Sequence, residues 1–105
     1  MGLDEKLYQE IAQVLVNVAP EDAEQIFVRA ELSAEDDHCK FEFDYSDQAG
    51  NIKWFTGGGK ANSQLLELLV QLRKFWISQG QSKWKGCEIK FDVNKSKIQM
   101  NFKFD

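Results

Sequence analysis

At 105 residues the chain has room for one domain with one modest core, and a hydrophobic content of 43% with 12% aromatics excludes wholesale disorder. No apolar run approaches the roughly 18–20 residues needed to span a bilayer, and Met1-Gly2-Leu3-Asp4-Glu5-Lys6 sets acids before any apolar stretch, unlike a secretory signal. The net charge is −4, but residues 1–50 hold thirteen acids against three bases (−10) and residues 51–105 four acids against ten bases (+6).

Leu3, Leu7, Ile11, Val14, Leu15 and Val18 recur at spacings of three and four, which predicts a one-sided helix over 3–19. Pro20 stops it, and Glu21-Asp22 follow as a solvated turn. Ile26, Val28, Ala30 and Leu32 then alternate with Phe27, Arg29 and Glu31, the pattern of a half-buried strand. After the polar stretch 33–37 the alternation resumes. Cys39, Phe41, Phe43 and Tyr45 face one way, Lys40, Glu42 and Asp44 the other. Charge selects the register of this hairpin. Pairing Arg29 with Glu42 and Glu31 with Lys40 sets opposite charges together, whereas a slip of two residues sets like charges together.

Asp47-Gln48-Ala49-Gly50 reads as a turn into a short third strand, 51–56. Gly57-Gly58-Gly59 reads as a flexible loop, with Asn62 or Ser63 capping a second helix. Leu65, Leu68, Leu69, Leu72, Phe75 and Trp76 form the buried side of that helix, and Gly80 ends it. A connector carrying Trp84 leads to two more alternating strands, Cys87 to Val93 and Lys97 to Phe104, joined by Asn94-Lys95-Ser96. The expected fold is α+β: order αβββαββ, a five-stranded antiparallel sheet, and both helices on one face, all within a single domain, 1–105.

Residue chemistry points away from catalysis. The glycine run ends in Lys60, but Trp54 and Ala61 stand where a phosphate-binding loop needs glycine and Ser or Thr. His38 is the lone histidine, so a catalytic pair could be built only around it, in a hairpin loop where nothing excludes water. A zinc site could draw only on His38, Cys39 and Cys87 plus a carboxylate, a set of no recognised spacing, and no cofactor is expected. Cys39 and Cys87 lack CxxC spacing and read as buried free thiols of a reducing compartment. A pI near 5.0 opposes direct nucleic-acid binding, although Lys83, Trp84 and Lys85 lie in a basic half whose aromatics, Trp84 apart, fall at core-facing positions.

Two surfaces remain as candidates for partner binding. One is the acidic set Glu35, Asp36, Asp37, Glu42, Asp44 and Asp47, suited to a basic partner that associates fast and salt-sensitively. Neutralisation of the two halves across the sheet is the alternative. The other is the open sheet face, where Phe27 and Phe55 fall among Arg29, Lys40, Glu42, Asp44 and Lys53, like anchors within a polar rim. There the alternatives are packing on a second copy, or Phe55 turning inward at a strand end.

In this setting the chain resembles the YezG-like immunity proteins, small antitoxins of bacterial polymorphic toxin systems. The resemblance rests on Leu7-Tyr8-Gln9-Glu10-Ile11-Ala12, on Pro20-Glu21, on Phe41-Glu42-Phe43-Asp44-Tyr45, on the Leu-rich second helix and Trp84 connector, and on Phe102-Lys103-Phe104-Asp105. The middle section is shorter than is usual, and Gly57-Gly58-Gly59 departs from the pattern. The resemblance implies a cytoplasmic, non-enzymatic inhibitor that binds a cognate toxin domain, most often a basic nuclease, without touching nucleic acid or membrane itself. Secretion chaperones of the type III system share the acidic character and the order αβββαββ but bind an extended effector segment. They usually add a final helix, where this order closes on a strand.

Overall fold

Helix α1 spans Leu3–Val18, with Asp4 and Glu5 in its first turn, where negative charge complements the helix dipole. Leu7, Ile11 and Leu15 are fully buried on its inner side and Val14 nearly so. In the computed structural model residues 3–104 are described; Met1, Gly2, Asp105 and the side chain of Leu3 lie outside the described residues. Strands β1 (Gln25–Leu32), β2 (Cys39–Ser46) and β3 (Ile52–Phe55) follow, then helix α2 (Gly58–Ser78), then β4 (Gly86–Asp92) and β5 (Lys97–Lys103). All neighbouring pairs are antiparallel, in the spatial order β3-β2-β1-β4-β5. This is the α+β fold expected from the alternation and helix periodicity.

Arg29 pairs with Glu42 and Glu31 with Lys40, the register that the charges select. That register sends Ile26, Val28 and Ala30 inward beside Phe43 and Tyr45 on one flank and Ile89 and Phe91 on the other. Leu7, Ile11 and Leu15 of α1 and Leu65, Leu69 and Leu72 of α2 close over this face to form the core. Full burial of each such side chain is worth about 1.5–3 kcal/mol. No helix among the described residues is long and apolar enough to cross a membrane.

Two expectations need correction. Helix α2 begins at Gly58, capped by Gly57, rather than at Asn62 or Ser63, so the glycine run enters the helix instead of forming a loop. Each helical glycine costs about 1 kcal/mol of propensity relative to alanine. Tertiary packing offsets it: Ala61 is buried in the first turn, and a Cβ on Gly57 would lie only 3.1 Å from the Phe43 ring. The other correction concerns Trp84, which is no surface aromatic. It is fully buried, its ring centre 5.1 Å from that of Phe102, and Phe102 in turn packs at 4.6 Å against the tilted ring of Trp76. The end of α2 does follow expectation. Gly80 takes φ +81° while its N–H donates to Ile77 O and that of Gln81 to Trp76 O, the double bond of a Schellman cap.

Candidate functional site: the uncovered face of the sheet

Both helices lie on one side of the sheet, so the odd-numbered residues of β1 and their cross-strand partners face away from the core. Trp54, Asp44, Phe27, Lys90 and Gln99 form one row across the five strands, and Glu42, Arg29, Glu88 and Asn101 lie in the next. Trp54 is 74% exposed and Ile52 63%, while Phe27 is half-buried between Asp44 and Lys90. A shallow concavity of about 420 Å³ runs between Phe27, Ile52 and Asn101. Large exposed apolar side chains within a charged rim are the composition of a recognition surface.

Phe27 lies on this face as expected. Phe55 does not. It turns inward, its ring centre 5.4 Å from that of Phe43 and 5.6 Å from that of Tyr45, and Lys53 shares its parity beside Tyr45. The cause is the β2–β3 turn. Asp47 and Asn51 close a three-residue loop in which Gly50 adopts φ +84°, and the Asp47 carboxylate accepts the N–H groups of Ala49 and Asn51. A left-handed glycine in a three-residue hairpin loop inserts one extra residue and so sets which side chains face outward. Ser46 then pairs with Ile52 and Asp44 with Trp54, which makes Trp54 the exposed aromatic in place of Phe55.

The six acids are not brought together. Asp47 sits at one end of β2 and Glu35, Asp36 and Asp37 near the other, roughly 25 Å apart along an eight-residue strand. Glu42 and Asp44, between them, are engaged by Arg29 at 3.5 and 2.8 Å. The hydrogen bond to Asp44, aided by both carboxylate charges, holds the Arg29 guanidinium above its ordinary pKa. Bases Arg29, Lys40, Lys90, Lys97 and Lys103 stand among acids Glu31, Glu42, Asp44, Glu88 and Asp92, so this face carries no net charge. Ion pairs of Lys53 with Asp22 and Asp47, and of Arg73 with Asp36, join the acidic and basic halves of the chain.

The three loop acids differ in kind. Glu35 is exposed. Asp37 accepts the Ser33 hydroxyl at 2.7 Å and faces His38 Nδ1 at 3.0 Å, and these bonds lower its pKa. Asp36 points inward to Arg73 with its own backbone at φ +62°. Arg73 is 1% exposed, and it also donates to the carbonyls of Leu32, Ser33 and Trp84 while lying over the Trp84 ring at 5.7 Å. One guanidinium therefore ties together the end of β1, the β1–β2 loop and the connector before β4. Nothing in the sequence reading singled it out. Its signal is its place in the buried row Leu65, Leu69, Arg73, spaced by four along α2.

Among the described residues no group of three His, Cys, Asp or Glu side chains could hold a metal ion. The chain matches no protein-family model and no curated protein.

Proposed function

We infer that this protein is an immunity protein: a non-enzymatic antitoxin that binds a cognate bacterial toxin domain and neutralises it. The toxin domain is a basic one, of the nuclease kind. The observation that carries this reading is the uncovered sheet face, on which Trp54 and Ile52 stand exposed with Phe27 two strands away. Aromatic anchors at the centre of an interface dominate binding energy, while surrounding charges fix orientation and speed encounter. The net charge of −4 lies off this face, and exposed acids such as Glu35 and Asp37 supply the steering for a basic partner. Two free thiols, Cys39 and Cys87, support a cytoplasmic site of action.

The test is affinity for the toxin domain encoded beside this gene, measured with the folded domain and with its unfolded fragments. Trp54→Ala should weaken binding of the folded domain about 30-fold, as loss of an anchor worth about 2 kcal/mol does, with an unchanged melting temperature. Equal binding by Trp54→Ala, or a preference for extended fragments over the folded domain, would refute the reading. A steering test should reverse Glu35 and Asp37 and leave Asp36 alone, because Asp36 is bonded to Arg73.

A further inference from the structure

At the corner of the sheet away from Trp54, a cleft of about 580 Å³ opens between the end of β1, the connector before β4 and the end of β5. Its sign is opposite to that of the chain. Lys83, Lys85, Lys103 and Arg73 line it against one acid, Glu31, which is itself opposite Lys40 in the β1–β2 register. Its floor is Gly86, in a row where Glu31 and Lys103 flank it. A Cβ on Gly86 would lie 2.6 Å from the Ala30 carbonyl oxygen, so the strand packing requires glycine there and leaves the notch open. Leu32 and Ala34 add an apolar wall.

Arg73 takes no direct part in recognition, since its N–H groups serve three carbonyls and Asp36. Three ammonium groups remain. Lys83 rests on the Ala34 carbonyl at 2.8 Å, Lys103 forms an exposed pair with Glu88 at 2.8 Å, and Lys85 has no acid partner among the described residues. Exposed lysine pairs exchange readily for a stronger anion. Lysine ammoniums bind phosphate as mobile point charges, without the fixed bidentate geometry of an arginine fork. The cleft volume lies within the range of about 300–1,000 Å³ typical of small-ligand sites.

We propose that this cleft binds a small phosphorylated molecule, with its phosphate at Lys85 and Lys103 over Gly86 and its apolar body against Leu32 and Ala34. The site shares Glu31, Gly86 and Lys103 with the far corner of the uncovered face, but it includes none of the aromatic residues there and does not rest on the toxin reading. Its test is an amide NMR titration of the full chain with inorganic phosphate, phenyl phosphate and an acidic peptide as probes. Phenyl phosphate should give saturable shifts centred on Leu32, Lys85 and Gly86, and should bind more tightly than inorganic phosphate. Lys85→Gln and Lys103→Gln should each weaken it about tenfold, the loss of one charge-assisted hydrogen bond. Their unperturbed spectra away from the cleft will show that the fold is kept. Shifts spread evenly over all lysines, equal affinity in Lys85→Gln and wild type, or binding of the acidic peptide alone would each overturn the proposal. Equal affinity for phosphate and phenyl phosphate would overturn the apolar contact.

Discussion

Replacing Arg73 with methionine should remove about 3–5 kcal/mol of folding stability, a large share of the roughly 5–15 kcal/mol that such a domain holds. Methionine keeps most of the aliphatic volume, so the loss is chiefly one of hydrogen bonds. The carbonyls of Leu32 and Trp84 lose a buried donor at 3.4 and 3.2 Å, and that of Ser33 a part-buried one. A buried acceptor left bare costs about 1–3 kcal/mol; the long bond to Leu32 belongs at the low end. Asp36 adds little, because its side chain is 29% exposed and regains water. Urea unfolding should show a lower midpoint at an unchanged slope, and the melting temperature should fall by roughly 12–25 °C. Asp36→Asn should cost less, and the double variant should show coupling of about 1–2 kcal/mol, as expected of partners in one network. A loss below about 1 kcal/mol in Arg73→Met would refute this accounting and place the network among ion pairs whose desolvation cancels their attraction.

Other expectations test single features. Asn51 N–H, with help from Lys53, holds the Asp47 carboxyl below the ordinary carboxylate range. Its folded pKa thus lies below the unfolded one, so its stabilisation is complete above about pH 4 and is lost as pH falls through the folded value. Asp47→Asn should flatten stability against pH in that acid window; an unchanged profile would count against the turn's role. Burial pushes the Cys39 and Cys87 thiols up to about 12, and Cys87 is only 2% exposed. Cys87 should react with a thiol reagent no faster than the chain unfolds, and rapid labelling of native protein would contradict its placement. Gly80→Ala, at φ +81° with open space around it, should cost about 1 kcal/mol from backbone strain alone, read as a lower urea midpoint.

Much of the fold is legible because it rests on short periods. Alternation from Ile26 to Leu32 and from Cys39 to Tyr45 marks two strands, and the charges of Arg29, Glu31, Lys40 and Glu42 settle how they pair. Elements governed by distant contacts are not legible in this way. Local propensity argues against a helix at Gly58-Gly59, and it forms because Gly57 approaches Phe43 and Ala61 is buried. The face taken by Phe55 and Trp54 turns on one left-handed glycine, Gly50, whose Asp-x-x-Gly-Asn setting carries the signal for anyone counting loop residues. The acidic set forms one surface only if neighbours in sequence are neighbours in space. An eight-residue strand separates its ends, and Arg73 turns one member inward.

The central strand is also the first one made. β1 takes β2 on one edge from the residues that follow it at once, but its other edge waits for β4, across β3 and all of α2. Until Gly86 to Asp92 dock, that edge presents its unpaired backbone groups beside Ile26, Val28 and Ala30. The β4–β5 hairpin can form locally, yet its docking must close a long loop, the slow kind of step in sheet assembly. A nascent or truncated chain that stops before Trp84 thus carries a sticky central strand and an Arg73 without the Trp84 carbonyl. Such a fragment is a substrate for chaperones and proteases, and for pairing with its own kind. The second edge of the central strand is therefore left open until the fourth strand docks.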